Sequence, residues 1–91
     1  MQIEIKAVDG VRYTVPKTIN VENMDDELTV CFRVVGVFKN SYISTYLNDK
    51  RISHKKRRVM APGEMEQVVL KKEELRCFED LSNITIKIEE D

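Results

Sequence analysis

Glycine is scarce in this 91-residue chain: only Gly10, Gly36 and Gly63 occur, and no two lie closer than 26 residues. Neither G-x-G-x-x-G nor G-x-x-x-x-G-K-[ST] can be drawn, which excludes a glycine-rich phosphate cradle. Tryptophan is absent, and the single histidine is His54. Cys31 and Cys77 stand 46 residues apart and form no C-x-x-C pair. A structural zinc site wants four nitrogen or sulfur ligands, usually in such pairs, so no metal ligand set is assigned. Asp25-Asp26-Glu27 lacks the D-x-D-x-D-G spacing of a calcium loop. No apolar run approaches the ~18 residues that span a membrane. Met1-Gln2-Ile3-Glu4 lacks the charged-then-apolar start of a signal peptide. A cytoplasmic protein with free thiols, and no membrane partner, is the expectation.

What is present points to a small folded unit. Apolar residues make up 42% and charged residues 34%, a globular rather than a disordered balance. The length allows one domain, residues 1–91, with a thin core. Net charge is −1, yet the charges are segregated. From Lys39 to Arg58 there are seven Lys/Arg and one acid, Asp49, giving +6; the remainder has eight basic and fifteen acidic residues, giving −7.

Period-two alternation dominates the pattern. Ile3, Ile5 and Ala7 alternate with polar residues, as do Val11, Tyr13 and Val15, and Asp9-Gly10 lies between them. This predicts a β-hairpin ending at Pro16. Residues 17–26 read as a polar crossing loop. Leu28, Val30, Phe32 and Val34 predict a central strand over 27–36. Tyr42–Leu47 and Arg51–Met60 predict a second hairpin through Asn48-Asp49, two residues that tolerate left-handed backbone angles. Met65–Leu70 reads as a further strand after the Pro62-Gly63 turn. Leu75, Phe78 and Leu81 recur at helical spacing behind Glu73 and Glu74, which predicts one short helical turn. Ile84, Ile86 and Ile88 predict a last strand with one apolar face. The fold class expected is all-β: an immunoglobulin-like antiparallel β-sandwich of about seven strands with one short helical turn.

The sharpest local feature is His54-Lys55-Lys56-Arg57-Arg58, preceded by Lys50-Arg51. In a strand, Lys55 and Arg57 face one side while Lys56 and Arg58 face the other. A central strand cannot bury four cations, so this segment belongs at an edge or in a loop. Cationic edges block edge-to-edge aggregation. Lys50, Arg51, Lys55, Lys56, Arg57 and Arg58 also form a candidate docking patch for an anionic partner. That partner is an acidic protein surface or, with Tyr42 and Tyr46 on the neighbouring strand, a nucleic acid. The near-neutral total charge argues against nucleic acid as the main partner. His54 has no nucleophile marked beside it by any motif, and Ser53 points to the opposite strand face. Glu64 and Glu66 read as two acids on one exposed strand face. No catalytic residue is assigned.

Three segments carry a family likeness: Gly10-Val11-Arg12-Tyr13-Thr14-Val15-Pro16, Pro62-Gly63-Glu64-Met65-Glu66, and Ile84-Thr85-Ile86-Lys87-Ile88-Glu89-Glu90. They resemble the C-terminal β-rich domain of bacterial FAD/NAD(P)-dependent oxidoreductases of the pyridine nucleotide-disulfide type. The resemblance implies a C-terminal fragment of a longer chain. It would be a non-catalytic accessory domain, packed against the flavin and nicotinamide domains or mediating subunit contacts. FAD and NAD(P) would belong to the parent enzyme, because this chain lacks the family's glycine-rich motifs and its close cysteine pair. The alternative is a free-standing interaction module using the basic hairpin at 50–58.

Overall fold

In the computed structural model, which describes residues 2–78 and 80–90, two β-sheets face each other across one apolar core. The five-stranded sheet has the order β3-β1-β8-β5-β6, from Thr18–Asn20 (β3), Gln2–Val8 (β1), Asn83–Glu89 (β8), Phe38–Leu47 (β5) and Lys50–Met60 (β6). The three-stranded sheet has the order β2-β4-β7, from Val11–Val15 (β2), Glu27–Val34 (β4) and Glu66–Lys71 (β7). One short helix, Lys72–Arg76 (α1), follows β7. The all-β sandwich expected from the alternation is thus what the chain forms.

The core follows directly from that alternation. Ile84, Ile86 and Ile88 of β8 join Ile3 and Ile5 of β1 and Ile43 and Leu47 of β5 on the inner face of the larger sheet. Val30, Phe32 and Val34 of β4 meet them from the smaller sheet, each fully buried. As the central strand of its sheet, β4 pairs with β2 and β7 on its two sides. Leu75 of α1 closes one end of the core.

The structure departs from the sequence expectations at three places. Asp9-Gly10 does not close a hairpin: β1 and β2 lie in different sheets, and the turn is a corner between them. Its backbone bonds run outward instead, from Ile88 N–H to the Asp9 carbonyl (3.2 Å) and from Val35 N–H to the Gly10 carbonyl (2.9 Å). The 17–26 loop contains an eighth strand, β3, which pairs with β1 through Ile19 opposite Ile3; three residues are too few to show an alternation. Finally, β1 and β8 pair in parallel, with Ile5 opposite Ile84, while every other strand pairing among the described residues is antiparallel. A parallel pair needs a long crossover, and here the whole chain from Asp9 to Ser82 supplies it.

Candidate functional site

The basic segment is an edge strand. Among the described residues β6 pairs with β5 alone and ends the five-stranded order, so its other side carries no partner strand there. The turn at Asn48-Asp49 is where the hairpin pattern placed it, with Asn48 at φ +54°. The Asn48 side chain also ties the hairpin to the entry of β8. Its Oδ1 accepts from Ser82 N–H (2.9 Å), the Ser82 hydroxyl (3.0 Å) and Asn83 N–H (3.3 Å), while its Nδ2 donates to the Asp80 carbonyl (3.1 Å).

A bulge between Thr45 and Tyr46 then sets the faces. Below it Leu47 pairs with Lys50 and Tyr46 with Arg51; above it Thr45 pairs with Ser53, Ser44 with His54 and Tyr42 with Lys56. One extra residue in β6 moves every following side chain to the opposite face. Lys55 and Arg57 consequently face the cleft between the two sheets, whereas His54 and Lys56 lie on the outer face beside Tyr42, Ser44 and Tyr46. Arg58 alternates with Arg57 and faces outward with them.

All six residues of the expected patch lie on β6 and are exposed, but they are not equally free. Arg57 Nη2 lies 3.2 Å from Oε1 of Glu66, a carboxylate only 5% exposed at the start of β7. Glu66 pairs in register with Phe32 and so points inward, which corrects its reading as an exposed acid beside Glu64. Arg51 Nη1 lies 3.6 Å from Glu89. Among the described residues, no ion pair engages Lys50, Lys55, Lys56 or Arg58. The cleft between β6 and β7 has a volume of about 320 Å³; Lys55, Arg57, Ile43, Met65 and Val69 are among its walls.

The outer face carries a polar network assembled from β5, β6 and β8, which alternation within any one strand does not specify. The Ser44 hydroxyl lies 2.7 Å from His54 Nδ1, the Tyr42 and His54 rings stack at 4.1 Å, and Tyr46 donates to Glu89 Oε2 at 2.8 Å. Lys87 Nζ sits 3.4 Å from Glu89 and 4.9 Å above the Tyr46 ring. The Ser44 hydroxyl is the largest influence holding the Glu89 carboxyl down, from its usual 4.5 to about 2; Tyr46 and Lys87 act in the same direction, against burial.

Serine, histidine and glutamate here do not make a nucleophile relay. In a relay the hydroxyl and the acid engage opposite ring nitrogens, so that a proton crosses the imidazole. Ser44 and Glu89 both approach Nδ1, at 2.7 and 3.5 Å. Ser44 is also fully buried, out of reach of a substrate. The network therefore stiffens the sheet face beside the cationic edge.

Cys31 and Cys77 are free thiols. Among the described residues, no group of three or more His, Cys, Asp or Glu side chains is gathered for a metal, and no helix is long and apolar enough to cross a membrane.

No known family model matches the chain, and no curated protein or solved structure matches it. The likeness to the flavoenzyme tail domain rests on its three segments alone. They fall on the corner and β2, on the turn before β7, and on β8.

Proposed function

We propose that the chain is an interaction domain that docks an anionic partner through the β5–β6 hairpin. The observation that carries this reading is the exposed edge strand with Lys50, Lys55, Lys56 and Arg58 outside every ion pair among the described residues. A cation without a local acid gains most from an external one, and four such groups along one strand add their fields. The polar network ties that strand to β5 through the Ser44–His54 bond and the Tyr42–His54 stack, so the charges are presented on a firm support. If the likeness to the flavoenzyme tail domain holds, the anionic surface belongs to a neighbouring domain of the same enzyme, and this domain plays its accessory part by the same hairpin.

The test is binding of polyglutamate and of oligothymidylate, followed by fluorescence anisotropy across a salt series. If all four cations engage phosphates, log K against log salt should fall with a slope of about −3. Replacing Lys55, Lys56 and Arg58 together by Ser should abolish binding while leaving the circular dichroism spectrum unchanged. Absence of binding to either polyanion at low salt overturns the proposal, as does binding that the triple variant retains.

A further inference from the structure

The cations are not the only unused feature of β6. Successive residues of an antiparallel strand send their N–H and C=O groups alternately to either side. β6 keeps one register against β5 from Ser53 to Met60. About half of the backbone groups in that stretch therefore point away from the sheet. Among the described residues, no backbone hydrogen bond reaches that side of the strand. Such a row is a template for another strand.

The side chains decide which strand fits. Lys55 and Arg57 stand on the cleft side, and Lys56 stands on the outer side with Arg58 next in alternation. A strand added here meets cations on both of its faces. A second copy of β6 would set cations against cations, which is destabilising between neighbouring strands. A nucleic acid would satisfy the charges but could not use the backbone row. An extended acidic polypeptide satisfies both. The Arg57–Glu66 pair at 3.2 Å already shows a carboxylate held from the cleft side of this edge.

We infer that an extended acidic segment of another polypeptide adds to β6 as a further strand of the five-stranded sheet, its carboxylates meeting Lys55 and Arg57 on one face and Lys56 and Arg58 on the other. This rests on the hairpin being the docking element and names the partner's class. Main-chain bonds supply affinity in such strand addition, and the alternate side chains supply selectivity. The cleft, with Met65 and Val69 on its far wall, takes apolar residues interleaved with the acids on that face.

The experiment uses a labelled peptide Glu-Glu-Val-Glu-Glu-Glu-Val-Glu, about eight residues long, the reach of the regular edge, which as a strand puts carboxylates on both faces and interleaves valine with them on one. Two versions carry N-methyl groups on one or the other alternate set of amides. Anisotropy should show salt-sensitive binding, a loss of about tenfold or more for one methylated set, and little change for the other. Lys56→Glu with Arg58→Glu should remove binding; both side chains are exposed, and a matching circular dichroism spectrum will show that the fold is kept. Hydrogen exchange should slow at alternate amides between Ser53 and Met60 when the peptide is present. Equal affinity of both methylated peptides overturns strand addition, while charge-dependent binding of polyanions would still leave the docking hairpin standing. Tighter binding of oligothymidylate than of the peptide overturns the choice of partner. No binding of any polyanion removes both readings.

Discussion

Replacing Gly10 by Ala should destabilise the fold by about 3 kcal/mol. Gly10 sits at φ +107° in the corner that carries the chain from β1 in one sheet to β2 in the other. That backbone angle is one that a residue with a Cβ rarely adopts, and holding it there costs on the order of 1–3 kcal/mol. The new methyl would also stand 2.8 Å from Cζ of Phe38 and 3.3 Å from Cβ of Ile88. The Phe38 ring is half-buried and can tilt, but Ile88 is fixed in β8 at 7% exposure. Overpacking of this kind adds roughly 1 kcal/mol or more. The corner cannot relax freely, because Ile88 N–H and Val35 N–H bond the carbonyls of Asp9 and Gly10 from two different sheets. For a domain of this size the sum corresponds to a melting temperature lowered by about 12–24 °C. Urea unfolding followed by circular dichroism measures it, with Gly63→Ala as the control: Gly63 has open space around it and no unusual φ, so its change should stay within about 0.5 kcal/mol. Equal midpoints for the two variants would refute the reasoning, since they would mean that the corner does not require its observed geometry.

Three further outcomes follow from the site. Glu89 has its carboxyl held near 2 in the folded chain against 4.5 ordinarily, so its contribution is complete above about pH 4.5 and is lost as pH falls towards 2. Glu89→Gln should therefore lower stability at neutral pH by about 1–3 kcal/mol, the upper end being the full shift and the lower end its value after solvent screening, and should match the parent near pH 2; urea midpoints across that range check the convergence. Asn48→Ala loses four side-chain hydrogen bonds and places a Cβ residue without a polar group at φ +54°. It should cost about 2 kcal/mol, with Asn48→Gly costing less because only the bonds are lost. Arg57→Ala should be worse than Glu66→Gln, by about 1 kcal/mol or more in a thermal melt. The first leaves a 5% exposed carboxylate without its cation, whereas the second frees an arginine that is already half in water.

Much of this architecture is legible from period two alone. The core face of β4 through Val30, Phe32 and Val34, the isoleucine face of β8, and the edge position of the cationic strand all follow from which side chains tolerate burial. The Asn48-Asp49 turn follows from backbone tolerance. What escaped was non-local. The Asp9-Gly10 step has the residues of a hairpin turn, and only the occupation of both β1 edges, by β3 and β8, makes it a corner. Had the hairpin kept the register of Leu47 with Lys50, Ser44 would face Ser53, and His54 would point into the cleft opposite Ile43. The bulge at Thr45/Tyr46 displaces β6 by one residue and brings His54 to Ser44 and Tyr42 instead. No residue type in Arg51-Ile52-Ser53 announces that bulge. The burial of Glu66 is non-local in the same way: it depends on Arg57, contributed by a strand of the other sheet.

The treatment of the sheet edges explains why β6 is the surface to test. Each edge of a sandwich must be guarded against unwanted pairing. β3 is guarded by brevity, with only three residues. β2 is five residues long and stops at Pro16, which has no N–H to offer; β7, the remaining edge, is six residues long and runs directly into α1. β6 is the longest strand, with eleven residues, and has neither brevity nor proline along 53–60. Its bulge lies near the turn, and its guard elsewhere is positive charge. Brevity and proline exclude every partner alike. Charge excludes only partners that are neutral or basic, because an acidic strand would convert the same repulsion into attraction. An edge protected in this way is closed to copies of itself and open to one chemistry.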